Sequence, residues 1–165
     1  MKFSKLILMI IFSSSVNAFA DDCDFLKKAI DESTAGFPTM KGAVDFPGGR
    51  IGSDYIPADY FAPSMLGVKC NIQPDEEHLE YYCRVKEDVY SDVLKTVKSC
   101  IKPSYESPSK KRTLYSGRTI TNTVFNTLSS SKKLVRIEVK LIENSTNKKI
   151  VTELDVSPVV NEVTD

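Results

Sequence analysis

The chain reads as an α+β domain, one antiparallel sheet with two helices packed on one face, in the order helix, three strands, helix, three strands. Three observations predict it. Two stretches carry apolar residues at helical spacing, each ended by Gly or Pro. Two further stretches alternate apolar and polar residues strictly, as half-buried strands do. Four cysteines, Cys23, Cys70, Cys83 and Cys100, lie on the apolar positions of these elements. Runs of strands around single helices form a sheet whose helices gather on one side.

The chain opens with Lys2 and Lys5, an apolar run from Leu6 to Phe12, and small residues at Ala18 and Ala20. This is the pattern of a secretory signal peptide cut after Ala20. The apolar run is too short to span a bilayer. Residues 1–20 are therefore read as the cleaved leader and 21–165 as one domain. An even cysteine count in the retained part suits an oxidising compartment, periplasmic or secreted. Cys23 is a poor lipidation site, because Asp21 and Asp22 precede it.

Removing 20 residues from 165 leaves a length suited to one domain with a real core. Lys2 and Lys5 leave with the leader, so 20 basic side chains face 22 acidic ones. That balance suggests neither nucleic acid nor an anionic membrane as the partner, and no stable membrane insertion is expected once the leader is cut. Tryptophan is absent, which excludes a carbohydrate site built on stacked indoles.

Residues 22–35 place Cys23, Leu26, Ile30 and Thr34 on one helical face, with Asp21 or Asp22 at the start and Gly36 and Pro38 at the end. Residues 42–65 hold glycines, prolines and the aromatics Phe46, Tyr55, Tyr60 and Phe61. Short strands are expected near 41–46 and 50–56 and loop elsewhere. A loop of that length is often functional. Residues 66–87 form a hairpin with Glu76 and Glu77 at its tip. One register sets Ile72 against Tyr81, Cys70 against Cys83 and Val68 against Val85, with every apolar side chain on one face. A slip of one residue would bury charges. This predicts the disulfide Cys70–Cys83, and elimination pairs Cys23 with Cys100.

Residues 88–101 read as the second helix, with Asp88 as its cap and Val89, Val93, Val97 and Cys100 in its stripe. Residues 102–112 read as a surface loop. Residues 112–128 are Thr-rich, with Ile120 and Val124 as inward candidates. A last hairpin is expected to set Leu141 against Ile150, Ile137 against Leu154 and Val135 against Val156. Asn144-Ser145-Thr146 matches a glycosylation sequon and is read as a polar turn. From about Pro158 the tail is polar. The halves share an order of elements without a sequence match.

No catalytic motif emerges. The one histidine, His78, lies in a turn beside acids, a poor place for a desolvated base. Cysteine spacings of 47, 13 and 17 residues do not suit zinc, and Asp75, Glu76, Glu77 and Glu80 lack a calcium-loop pattern. No cofactor, metal or catalytic residue is assigned. Asp45, Asp54 and Asp59 are the candidates for a carboxylate hydrolase. Lys110, Lys111 and Arg112, with Lys98, Lys102 and Arg118, form a basic patch suited to an acidic partner or an envelope polymer.

The expected function is an exported, periplasmic, non-enzymatic protein that binds another protein, as an inhibitor, an immunity-like protein or an accessory envelope subunit. Tyr55, Tyr60, Phe61, Phe46 and Arg50 are the binding candidates, since aromatics and arginine anchor interfaces. The alternatives are a small-molecule or glycan binder and, behind it, the hydrolase.

Overall fold

The computed structural model describes residues 15–46, 48–51, 54–56, 58–65, 67–75 and 78–159. Two helices and a large antiparallel sheet dominate it. Helix α1 (Ser15–Ser33) precedes β1 (Val44–Phe46), β2 (Gly49–Ile51), β3 (Asp54–Ile56), β4 (Asp59–Met65), β5 (Val68–Asp75) and β6 (His78–Val85). Helix α2 (Tyr90–Cys100) precedes β7 (Tyr105–Glu106), β8 (Lys110–Thr113), β9 (Arg118–Leu128), β10 (Leu134–Asn144) and β11 (Lys149–Pro158). The expected count of three strands per half is too low, because short strands flank each group. The main sheet runs β1-β4-β5-β6-β11-β10-β9, with β7 and β8 both on the outer edge of β9, while β2 and β3 pair apart. Residues 1–14 of the expected leader lie outside the described residues, and α1 runs through the expected cut between Ala20 and Asp21.

Strand alternation sets one face of the sheet into the core. One inward row is Thr123, Val139, Leu154, Cys83, Cys70 and Ala62, read across β9, β10, β11, β6, β5 and β4. The next is Phe125, Ile137, Val156, Tyr81, Ile72 and Tyr60. Leu26, Ala29 and Ile30 of α1 and Val93, Val97 and Cys100 of α2 belong to the same apolar cluster. Helix α1 contacts β4, β6 and β11, and α2 contacts β10 and β11. Disulfides join Cys23 to Cys100, helix to helix, and Cys70 to Cys83 across the β5–β6 pair.

Several local expectations need correction. Asp88 does not cap α2. The N-cap is Val89 without a side-chain bond, and its N–H donates to Thr152 Oγ1 at 3.2 Å. Thr152 in turn donates to the Glu87 carbonyl at 2.8 Å, which ties the helix start to β11. Residues 59–65 are a strand and not loop. Pro63 is tolerated there because the β4–β5 register shifts between Ala62 and Met65. Ile120 and Val124 do not point inward, since Thr123 and Phe125 take the buried positions. The Thr123 hydroxyl is satisfied there by Tyr90 Oη at 2.8 Å and Ser109 Oγ at 2.7 Å.

The β10–β11 hairpin keeps the expected faces but pairs two residues along. Val135 meets Pro158, Ile137 meets Val156 and Leu141 meets Thr152. The turn is shorter than expected, with Asn144 against Lys149 as its last pair. Asn144 Oδ1 accepts from the Thr146 N–H at 3.0 Å and Asn147 Oδ1 from the Lys149 N–H at 3.1 Å. These local bonds close the turn early.

Candidate functional site

The aromatic segment does not present its candidates together. Tyr60 and Phe61 are neighbours on β4 and so point to opposite faces. Tyr60 packs against the core, with Lys41 Nζ 4.6 Å from its ring centre. Phe61 is 41% exposed on the other face, with Lys69 Nζ 4.5 Å from its ring centre. Arg50 is opposite Tyr55 in the β2–β3 pair, and Phe46 is opposite Asp59 in β1–β4. The side chains of Phe46, Arg50 and Tyr55 lie outside the described residues, as does that of Asp54.

The remaining hydrolase candidates, Asp45 and Asp59, differ in their surroundings. Asp45 accepts from Lys69 Nζ at 2.7 Å and Asn71 Nδ2 at 3.0 Å. The Lys69 bond in particular holds its carboxyl below the usual range. Burial, and then the Asp45 charge, push the Asp59 carboxyl up. Asp45 is thus committed to a cation and an amide. His78 is the first residue of β6 and not a turn residue, with Nε2 3.6 Å from Asp75 Oδ2. Its side chain is 22% exposed, so it is more sheltered than a solvated turn would leave it. Among the described residues no group of three or more His, Cys, Asp or Glu side chains is placed to hold a metal ion.

The most organised polar array lies on the face of the sheet opposite the core rows. One row across it is Val124, Glu138, Asp155, Tyr82, Asn71 and Phe61. The next is Lys110, Asn122, Lys140, Glu153 and Arg84. Side chains bridge these rows. Tyr82 Oη donates to Glu153 Oε1 at 2.8 Å, and Arg84 Nε lies 3.3 Å from the same oxygen. Lys140 Nζ is 2.7 Å from Asp155 Oδ2 and 3.6 Å from Glu138 Oε2. Glu138 also accepts from Asn122 Nδ2 at 2.9 Å and Arg136 Nη2 at 3.1 Å. One strand over, Gln73 Nε2 donates to Glu80 Oε1 at 2.6 Å.

The electrostatics follow from crowding three carboxylates around one ammonium. Burial disfavours the Lys140 charge, but Asp155, Glu138 and Glu153 outweigh it and raise its pKa. Burial pushes the Asp155 carboxyl up despite Lys140, and Glu153 and Glu138 add to the rise. Burial also opposes ionisation of Glu138, yet the Asn122 bond and the Lys140 and Arg136 charges hold it low. Burial lifts Glu80 to about 7, with the charges of Asp155 and Asp75 adding to the rise and the Gln73 bond opposing it. Glu153 is 9% exposed and Asp155 6%, so these groups are fixed, partly dehydrated features of the face.

The sequence reading missed this array. Its one available signal was the polar side of the alternation in β6, β10 and β11. Strand order was needed to bring Tyr82 to Glu153, 71 residues away.

A small, partly open recess between β6, β11 and α2 has a volume of about 20 Å³, room for a single water. A broader open depression, about 470 Å³, lies between the end of α1 and the β5–β6 hairpin, beside Ser33, Thr34, His78 and Leu79. Compared with protein families, curated proteins and solved structures, the chain matches none. The two disulfides point to an oxidising compartment. No helix of the described residues is long and apolar enough to cross a membrane.

Proposed function

We propose that the protein is exported to the periplasm and binds another protein, as an inhibitor, immunity-like protein or accessory envelope subunit, through the polar face of its sheet. In this reading both helices serve the core side, so the opposite face stays open to a partner. The observation that carries it is the bonded array Tyr82–Glu153–Arg84 with Asp155–Lys140–Glu138–Arg136. Side chains already held in position lose little freedom on binding, and a fixed charge pattern selects a complementary surface. Phe61 and Tyr82, five strands at most from Val124, provide aromatic area within the same row. The leader pattern and the disulfides support export. Of the binding candidates named from the sequence, Phe61 lies on this face.

Affinity capture from a periplasmic fraction tests the reading, with Phe61→Ala and Arg84→Ala compared against the parent. A partner held by the parent and released by both variants, at unchanged melting temperature, supports it. A partner held equally by all three removes this face as the binding surface.

The second reading, a small-molecule or glycan binder, is favoured by the depression beside His78, which combines Ser33 and Thr34 with Leu79 and Pro158. His78→Ala would weaken such a ligand and leave protein capture unchanged.

A further inference from the structure

We propose that the β8–β9 hairpin is a docking tip for an anionic lipid surface. Tyr115, at its end, is fully exposed, and Leu114 beside it is 38% exposed. A free aromatic at a turn is usually mobile, but this turn is held. The Leu114 N–H donates to the Arg118 carbonyl at 2.7 Å, and the Gly117 N–H to the Leu114 carbonyl at 3.0 Å. Ser145, in the neighbouring β10–β11 turn, donates to the Gly117 carbonyl from Oγ at 2.9 Å and from N–H at 3.3 Å. Gly117 has φ +73°, and a Cβ there would stand 3.0 Å from Ser145 Oγ. Two turns are thus locked into one corner of the sheet, with Tyr115 projecting from it.

The charge around the tip is one-sided. Residues 110–118 and 143–149 hold Lys110, Lys111, Arg112, Arg118, Lys148 and Lys149 against a single acid, Glu143. All six cations are exposed, and Glu143 lies 3.6 Å from Lys111. The remainder of the chain is correspondingly acidic, so the positive charge is concentrated where the aromatic protrudes. An amphipathic ring at headgroup depth, with Lys and Arg set behind it, is the arrangement that holds a surface against anionic lipid. The attraction acts within a Debye length and is lost in salt. A convex tip with cations splayed around it meets a flat anionic surface from any side, whereas an acidic protein cleft would need walls matched to both turns. One Tyr and one Leu give reversible attachment, not insertion.

The chain contains no tryptophan, so Tyr115→Trp is a single reporter. Its emission should shift to the blue with mixed phosphatidylglycerol–phosphatidylcholine vesicles at low salt, and not with phosphatidylcholine alone. In flotation with the same vesicles, Lys110→Gln/Lys111→Gln/Arg112→Gln should lower partition about tenfold or more. Tyr115→Ser should lower it several-fold. Lys132→Gln/Lys133→Gln, at the far end of β9 and β10, should leave it unchanged. All these positions are exposed, so folding is checked by an unaltered melt. Absence of the shift and of flotation, or flotation indifferent to the triple variant, would overturn the proposal. Binding of the tip to an acidic protein but not to the vesicles would overturn it equally.

Discussion

Cys83 lies directly opposite Leu154, at the middle of the β6–β11 pair that joins the two halves of the sheet. On either side of this pair runs a three-stranded meander, β4-β5-β6 and β9-β10-β11. Each meander follows one helix, and the helices are joined by Cys23–Cys100. The halves therefore meet last strand to last strand, and the long-range disulfide ties their helices across the core.

The two disulfides should contribute unequally. Cys23–Cys100 spans 77 residues and Cys70–Cys83 spans 13. Restriction of the unfolded chain gives about 4 kcal/mol for the first and about 3 kcal/mol for the second. Denaturant unfolding of the Cys23→Ser/Cys100→Ser and Cys70→Ser/Cys83→Ser pairs checks the order. A larger loss from the second pair would show that the cross-strand bridge holds more than loop entropy.

Tyr60→Ala and Phe61→Ala should behave differently although the residues are adjacent. Tyr60 packs on the core and its loss should cost about 3 kcal/mol. Phe61 is exposed with a lysine over its ring, and its loss should cost less than about 1 kcal/mol. Thermal melts of both variants decide it; equal losses would mean that β4 does not present opposite faces.

Alternation made part of this structure legible and strand order hid the rest. The β5–β6 register could be read because every apolar residue and both cysteines agreed on one face. The β4 strand could not, since Pro63 and the surrounding glycines and prolines read as loop, and a register shift accommodates them. Ile120 and Val124 looked inward because they are the aliphatic residues of a Thr-rich stretch. A buried threonine is acceptable at 123 only once its partners, the Tyr90 and Ser109 hydroxyls, are known. The polar array was invisible for a related reason: Lys140 and Asp155 are neighbours only after β10 and β11 pair in a register two residues from the one expected.

Glu80 should make stability fall as pH rises. Its ordinary carboxyl value is 4.5 and its folded value about 7. Below about 4.5 the group is protonated folded and unfolded, with no penalty. Between these values the unfolded chain ionises first, so stability declines until the folded value is passed. Glu80→Gln retains an acceptor for Gln73 and removes the titration. Its melting temperature should rise relative to the parent between pH 5 and pH 8. A constant difference over that range would show that Glu80 is ionised throughout.

Lys140→Met should destabilise the fold by about 2–4 kcal/mol at neutral pH, because Asp155, Glu138 and Glu153 lose their shared cation. The loss should shrink in acid, as the crowded carboxylates take up protons. Adding Asp155→Leu should recover part of it. Denaturant curves at neutral and acid pH measure both effects, and a loss independent of pH would point to packing instead of charge.

Capture with a charge-reversed face decides whether the polar sheet face receives a protein partner. Arg84→Glu/Arg136→Glu changes two exposed side chains of the array while leaving the core rows intact. Periplasmic capture is measured beside a thermal melt and compared with the parent. A specific partner retained by the parent and lost from the folded double variant is the expected result. The same partner retained at equal strength by that variant would contradict the account.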